Sequence, residues 1–380
     1  MQVNVGSQSR YQPRMKQIFI NGRYLTQQIT GVQRVATEVV SSLDRLLETG
    51  TIGSGHEVTL LAPKGNYETP RLSQIRFVQG GTFSGHPWEQ FDLPRLARGG
   101  VLFNPCGPSP LFHPCQITML PDASVFLAPQ GYSFAYRTWT RLLYRTAGLR
   151  AKAILTISNY SKERLLEYCR TLSSDRIHVD YPGSDHAFRC EADDGILNDI
   201  FGIARRDYVL CVGSQQANKN VKIVASISGW LRERGISTIV AGGSSKAVFR
   251  GEEIDEERVI KTGFVSDEQL RALYENARCF IFPSFEEGFG IPPLEAMRYG
   301  CPVVASSSAS MPEVCGDAAV YFDPRDAESL KRALDTVLSN PELGDKLRAS
   351  GAVRAVKYTW DKCALGIWDH LQREAGRPGC

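Results

Sequence analysis

The sequence lacks most of the signatures that name a chemistry at once. Its ten cysteines (Cys106, Cys115, Cys169, Cys190, Cys211, Cys279, Cys301, Cys315, Cys363 and Cys380) form no Cys-x-x-Cys pair and no metal-finger spacing, so most of them read as small apolar core residues of a reducing compartment. No Gly-x-Gly-x-x-Gly follows an early strand, which leaves a dinucleotide oxidoreductase the least favoured enzyme class. There is no Asp-x-Asp metal motif, and His86, His113, His178 and His186 lack the spacing of a metal site; they read as ordinary surface or packed histidines. No uninterrupted apolar stretch approaches the ~20 residues of a membrane-spanning helix. A net charge of +3 is too small to imply nucleic acid. Short-period repeats and low-complexity tracts are also missing.

What is present is the composition of a globular protein, 42% hydrophobic and 22% charged. At 380 residues it exceeds the size at which one core stops growing, so two domains with a cleft between them are expected. Residues 1–16 are polar, without the apolar centre of a signal peptide, and read as a disordered leader. The expected location is cytoplasmic, with attachment to the inner face of the plasma membrane left open.

From Gln17, short apolar runs alternate with helical patterns: Ile18–Ile20, a helix from Val32 to Leu47, Val58–Leu61, then Ile154–Ile157, a helix from Ser161 to Cys169, and Ile177–Val179. Strand, helix, strand with short turns predicts parallel α/β layers. A second series starts at Tyr208–Val212, with a helix from Val221 to Arg232, Thr238–Ala241, Cys279–Phe282 and Val303–Ala305. Between the two, Pro182–Asn198 has the composition of a linker. These patterns divide the chain into an N-terminal Rossmann-like domain (17–185), a linker (186–200), a second Rossmann-like domain (201–357) and a C-terminal helix (358–375) expected to pack back on the first domain.

The segment Phe280 to Gly300 carries the strongest chemical signal. A buried strand ends at Pro283-Ser284, and Pro292-Pro293 fits the first positions of a helix, where a missing amide hydrogen costs nothing. Gly288 and Gly290 therefore lie in a strand-to-helix loop whose backbone N–H groups can approach an anionic ligand. Glu287 before the helix and Glu295 in its first turn can both face one pocket; on spacing alone, Glu295 can equally complement the helix dipole and Glu287 can be an exposed loop acid. Lys219 stands near a helix start after a strand, where it can stabilise negative charge on a ligand or be a solvated lysine. Thr30 or Gly31 can cap the helix that follows.

Together, Gly263-Phe264-Val265-Ser266, Glu287 to Glu295, Ala296 to Val304 and Met311 to Ala319 resemble, in order, the motifs of the large retaining group-1 glycosyltransferases of GT-B architecture, two Rossmann-like doubly wound domains facing a central cleft. The resemblance implies that Glu295 holds the donor ribose, Glu287 the donor sugar, and the backbone of Gly288, Phe289 and Gly290 the sugar or diphosphate. Val265, at a strand end, would lie beside the base. The implied donor set also includes Gly31, Gly213, Ser214, Lys219 and Leu294, with Arg34 a weaker candidate. The implied catalytic groups are Glu287, Lys219 and Asp122, with no metal and no tightly bound cofactor. Two departures stand out: Asn218 occupies the place of an arginine that usually precedes the lysine, and Pro121 that of a histidine that usually precedes Asp122. Proline offers neither hydrogen bond nor proton transfer there, and Asp122 by itself can be a turn residue.

The resemblance is strongest to mannosyl- and rhamnosyltransferase-like members. It implies transfer of a hexosyl unit from a nucleotide sugar, GDP-linked first and UDP-linked second, to a lipid-linked bacterial glycan such as O-antigen. A sugar-nucleotide epimerase and a non-catalytic nucleotide- or glycan-binding protein are the alternatives. Arg137, Arg141 and Arg145 recur at i, i+4 and i+8 on a helix with aromatics nearby, the pattern of a stripe resting on anionic head groups or of a solvated face.

Overall fold

The computed structural model describes residues 16–377 apart from 54, 108, 130–131, 201–206, 214–215 and 244–258. Two parallel sheets organise the chain. The first comprises β1 (Lys16–Asn21), β2 (His56–Ala62), β3 (Arg76–Gln79), β4 (Val101–Asn104), β5 (Gln116–Met119), β6 (Ala153–Thr156) and β7 (Ile177–Val179), in the order β3-β2-β1-β4-β5-β6-β7. The second comprises β8 (Tyr208–Val212), β9 (Ser237–Ala241), β10 (Ile260–Gly263), β11 (Cys279–Phe282), β12 (Val303–Ser306) and β13 (Ala319–Phe322), in the order β10-β9-β8-β11-β12-β13. Helices cover both faces, so central strands have no wet side and read as continuous apolar runs; all four residues of β11 are buried. Register places Ile18 between Val58 and Val101, and Phe280 between Leu210 and Val303.

In each sheet the strand order reverses once, between β1 and β4 and between β8 and β11. Such a reversal sends neighbouring connections to opposite faces and opens a crevice at the carboxyl ends of the strands. The helix Gly31–Glu48 follows β1 and buries Val35, Val39, Leu43 and Leu46, a stripe at helical spacing. The C-terminal helix Trp360–Gly376 buries Trp360, Ala364, Ile367 and Leu371, and it packs beside Gly31–Glu48, where Asp361 pairs with Arg45. The chain thus crosses from the second sheet back to the first.

The carboxyl edges of the two sheets face each other and are linked by side chains from both. Arg34 makes a bidentate pair with Asp267 at 2.7 and 2.6 Å. The Glu313 carboxylate accepts from the Asn159 and Tyr160 amides at 2.8 and 3.0 Å and from the Tyr181 hydroxyl at 2.8 Å. The Ser158 and Ser161 hydroxyls donate to Gly288 O at 2.5 and 3.1 Å. The segment joining the sheets is packed: a 3-10 turn spans Asp185–Arg189, a helix spans Gly195–Asp199, and Ile196, Leu197 and Ile200 are buried.

The expected helix from Val221 to Arg232 is two helices, Val221–Ser226 and Ser228–Arg232. The Ser226 and Ser228 hydroxyls donate back to Ile223 O and Ala225 O, a local competition that weakens a continuous helix. Eight described cysteines are free thiols, six of them buried. Among the described residues no helix is long and apolar enough to cross a membrane.

Candidate functional site

The crevice of the second sheet is built by the loops that leave β8 and β11. After β8, a 3-10 turn over Ala217–Lys219 is followed by Asn220 in the left-handed region (φ 52°). Its buried amide donates to Pro283 O at 3.1 Å and Pro324 O at 2.8 Å, which pins the turn against the loop after β11. Asn218 is a second brace: its side chain donates to Glu286 O at 3.2 Å, and its carbonyl accepts from the Phe285 amide at 2.8 Å. The residue standing where an arginine was expected therefore joins the two loops. Lys219 projects from this turn and forms an ion pair with Glu287, each side chain about one-fifth exposed (22% and 19%). Gly213 lies beside it, its amide bonded to Ala241 O at 3.0 Å. Ser214 falls outside the described residues.

The loop after β11 needs its glycines. Gly290 holds φ +94° at the N-cap of the helix Ile291–Arg298, a conformation costly for any residue with a Cβ. A Cβ on Gly288 would stand 2.8 Å from the Asp122 Cβ, so the first domain presses directly on the Glu287–Gly288 peptide through Asp122. One Asp122 oxygen accepts from the Ser124 amide at 2.7 Å, the turn role the sequence allowed, while its location is across the cleft from Glu287. Pro121 is buried and offers only its carbonyl, which accepts from the Thr156 hydroxyl at 3.1 Å. Nearby, burial first and then the negative charges of Asp122 and Glu287 push the Tyr132 hydroxyl upward. That residue had no sequence signal.

Glu295 lies in the first turns of the helix Ile291–Arg298. Its Oε1 is 2.9 Å from His186 Nε2 and its Oε2 accepts from the Tyr274 hydroxyl at 3.2 Å. His186, read from sequence as an ordinary histidine, thus touches a candidate site residue; its isolated position in a loop gave no hint. Gly31 is the exposed first residue of its helix, with Thr30 as N-cap, and nothing lies within 4 Å of where its Cβ would be. Arg34 is committed to Asp267. Burial lowers its guanidinium pKa, but the hydrogen bond and charge of Asp267, with Glu295 and Glu38 beyond, leave it raised.

Not every expected residue reaches the crevice with its side chain. Leu294 and Phe289 are fully buried in the core, so Leu294 packs and Phe289 can present only backbone. Its ring lies against Tyr181 and Tyr358 at 6.1 and 5.5 Å. Val265 is in the loop two residues beyond the end of β10, half-buried, and next to Phe264, which is 76% exposed. The arginines of the helix Phe134–Arg150 lie outside the crevice: Arg141 donates to Val125 O at 3.1 Å and covers the Phe126 ring, Arg137 covers Phe134, and Arg145 is exposed. Among the described residues no cluster of ligating side chains could hold a metal ion.

Comparison with known proteins agrees with this architecture. The family described as "Glycosyl transferases group 1" matches residues 199–354, which contain the Lys219–Glu287 pair and Glu295. The O-antigen chain mannosyltransferase B of Escherichia coli is 30% identical over 273 residues, covering 65% of this chain and 67% of that protein. The serotype-specific mannosyltransferase WbdA of the same species is 28% identical over 228 residues, 57% of this chain but only 28% of the longer relative. Among solved structures, HepE of Anabaena in complex with UDP and glucose superposes with a TM-score of 0.68, at 14% identity, over 94% of this chain and 99% of that one; at that identity the likeness speaks for the fold, two GT-B domains with parallel sheets edge to edge. A β8–β11 crevice of this build, in a chain so related, belongs to a glycosyltransferase of the group-1 family.

Proposed function

We propose that the protein transfers a mannose-type hexosyl unit, with retention, from a nucleotide sugar to a lipid-linked bacterial glycan of the O-antigen kind. The observation that carries this reading is the Lys219–Glu287 pair at the strand-order reversal of the second sheet. Relatives whose names give O-antigen mannosyl transfer support the sugar and acceptor. A GDP-linked donor is the first candidate, and the UDP bound to HepE keeps a UDP-sugar as the competing donor.

In this reading Glu295 accepts hydrogen bonds from the ribose hydroxyls, Glu287 from the donor sugar, and Val265 flanks the base. The backbone amides of Gly288, Phe289 and Gly290 and the Lys219 ammonium meet the diphosphate, with Gly31 and Gly213 giving close backbone approach. As the anomeric C–O bond to the diphosphate breaks, negative charge builds on the leaving oxygen, and a preorganised cation is worth most at that moment. The acceptor hydroxyl attacks the same face, its proton passing to that leaving phosphate oxygen. Asp122 stands where it can orient the donor sugar or acceptor. Residues 17–185 supply the acceptor side and 201–357 the donor side, joined through 186–200.

The test is a panel of GDP- and UDP-sugars assayed for thermal stabilisation and then for turnover with a lipid-linked acceptor. One donor should shift stability and be consumed only with acceptor present, and Glu287→Gln and Lys219→Ala should each lower kcat roughly 10²–10³-fold. Full activity in either variant removes the assignment. Donor conversion without acceptor means an epimerase, and binding without turnover a non-catalytic protein.

We also place the helix Phe134–Arg150 at a membrane surface, because Phe134, Leu142, Arg145 and Leu149 share its outer side and Phe134, Leu142 and Leu149 are 74%, 46% and 64% exposed. Apolar side chains beside arginines suit an anionic lipid interface. Replacing Arg137, Arg141 and Arg145 by Glu should abolish sedimentation with anionic vesicles; unchanged binding removes the assignment.

A further inference from the structure

A chain of buried polar groups reaches the crevice from behind. The Trp360 indole N–H donates to His186 Nδ1 at 3.0 Å. An indole nitrogen can only donate, so Nδ1 is an acceptor and the neutral ring carries its proton on Nε2, 2.9 Å from Glu295 Oε1. The contact is nearly dry, with side-chain exposures of 6% for His186 and 13% for Glu295. The indole is itself held. The Trp360 amide donates to Asp185 Oδ1 at 2.8 Å, and a Cβ on Gly183 would fall 2.2 Å from that nitrogen, so the loop and the head of the C-terminal helix touch. With Tyr274 on Oε2, each Glu295 oxygen receives one protein donor. Each keeps acceptor capacity for a ligand hydroxyl.

We propose that His186 is a positioning residue for nucleoside recognition. Its Nε2–H, set in that tautomer by Trp360, fixes the plane of the Glu295 carboxylate so that the free lone pairs meet both ribose hydroxyls of the donor. Without that hydrogen bond the carboxylate can rotate about its terminal torsion, and two-point contact with a vicinal diol is lost first. The inference rests on the reading of Glu295 as the ribose ligand.

The test compares GDP or UDP, whichever binds more tightly, with its 2′,3′-dideoxy counterpart by calorimetry. Wild type should prefer the ribonucleotide roughly ten- to hundredfold, the range of hydrogen bonds to a charged group. Glu295→Gln should bring the ratio close to one. His186→Phe should lower it about tenfold while the dideoxy nucleotide binds as before, and His186→Gln, whose amide nitrogen stands near the Nε2 position, should restore most of it. Trp360→Phe, which frees the tautomer, should lower the ratio less than His186→Phe, and it carries the test if His186→Phe does not fold. An unchanged ratio in the His186 and Trp360 variants, or equal weakening of both nucleotides, overturns the proposal and leaves Glu295 intact. An unchanged ratio in Glu295→Gln overturns both.

Discussion

The two strand-order reversals have the same topology and opposite polar chemistry. At the reversal of the first sheet, Asn21 donates to Glu89 at 2.8 Å and to Asn104 at 3.0 Å, Arg23 pairs with Glu89 at 3.1 Å, and Asn104 donates to Gln116 at 3.2 Å. Arg23 and Glu89 are 9% and 1% exposed, and the group is closed to solvent. At the reversal of the second sheet, Lys219 and Glu287 are partly exposed. Identical topology offers a crevice in both places; only the second leaves charge for a ligand. A polar cluster at a sheet edge is thus read by whether it can trade partners, not by its composition.

The comparison breaks first on stability. Glu89→Ala would strand the Arg23 guanidinium in the first domain, a loss of about 3–5 kcal/mol for a buried pair deprived of one partner, seen as a lower denaturant midpoint. Lys219→Ala should cost about 1 kcal/mol or less there while it lowers turnover as stated above. A Glu89 variant of normal stability, or a Lys219 variant that unfolds, would reverse the two assignments. Burial alone would raise the Glu89 carboxyl, but the donors His86, Arg23 and Asn21 hold it below its ordinary value.

Much of this architecture is visible in the sequence because parallel strands buried on both faces leave unmistakable apolar runs. Tyr208–Val212 and Cys279–Phe282 are found with their observed bounds. The strands Arg76–Gln79, Val101–Asn104 and Ala319–Phe322 escape notice, since four residues between loops of mixed composition carry little periodicity. The loop from Glu287 to Glu295 is legible because glycines and paired prolines fix its turn locally. His186, Tyr274 and Asp267 are not. They reach Glu295 and Arg34 through tertiary approach between distant segments, which no local pattern encodes.

A smaller effect separates a buried acid that faces a cation from one that faces another acid. Asp180 follows β7, is 9% exposed, and has an Oδ2 atom without a hydrogen-bond partner. Burial, reinforced by the charge of Asp369, pushes its carboxyl from 3.8 up to about 7. The native state therefore holds a proton that the unfolded chain releases between about pH 4 and pH 7. Stability contributed by this group is highest at the acid end of that window, falls as pH rises through it, and levels off above about 7. Glu89, with its value depressed, has the opposite sign, contributing stability at neutral pH that is lost on acidification. Asp180→Asn keeps the shape and removes the charge, so it should stabilise the protein by about 1–3 kcal/mol at pH 7.5, the cost of an unsatisfied buried group, and by almost nothing near pH 4. Denaturation midpoints of the wild type and Asp180→Asn, measured at both pH values, decide this: equal midpoints at pH 7.5 would mean that Asp180 finds a partner when ionised, and that the two kinds of buried acid differ less than their surroundings imply.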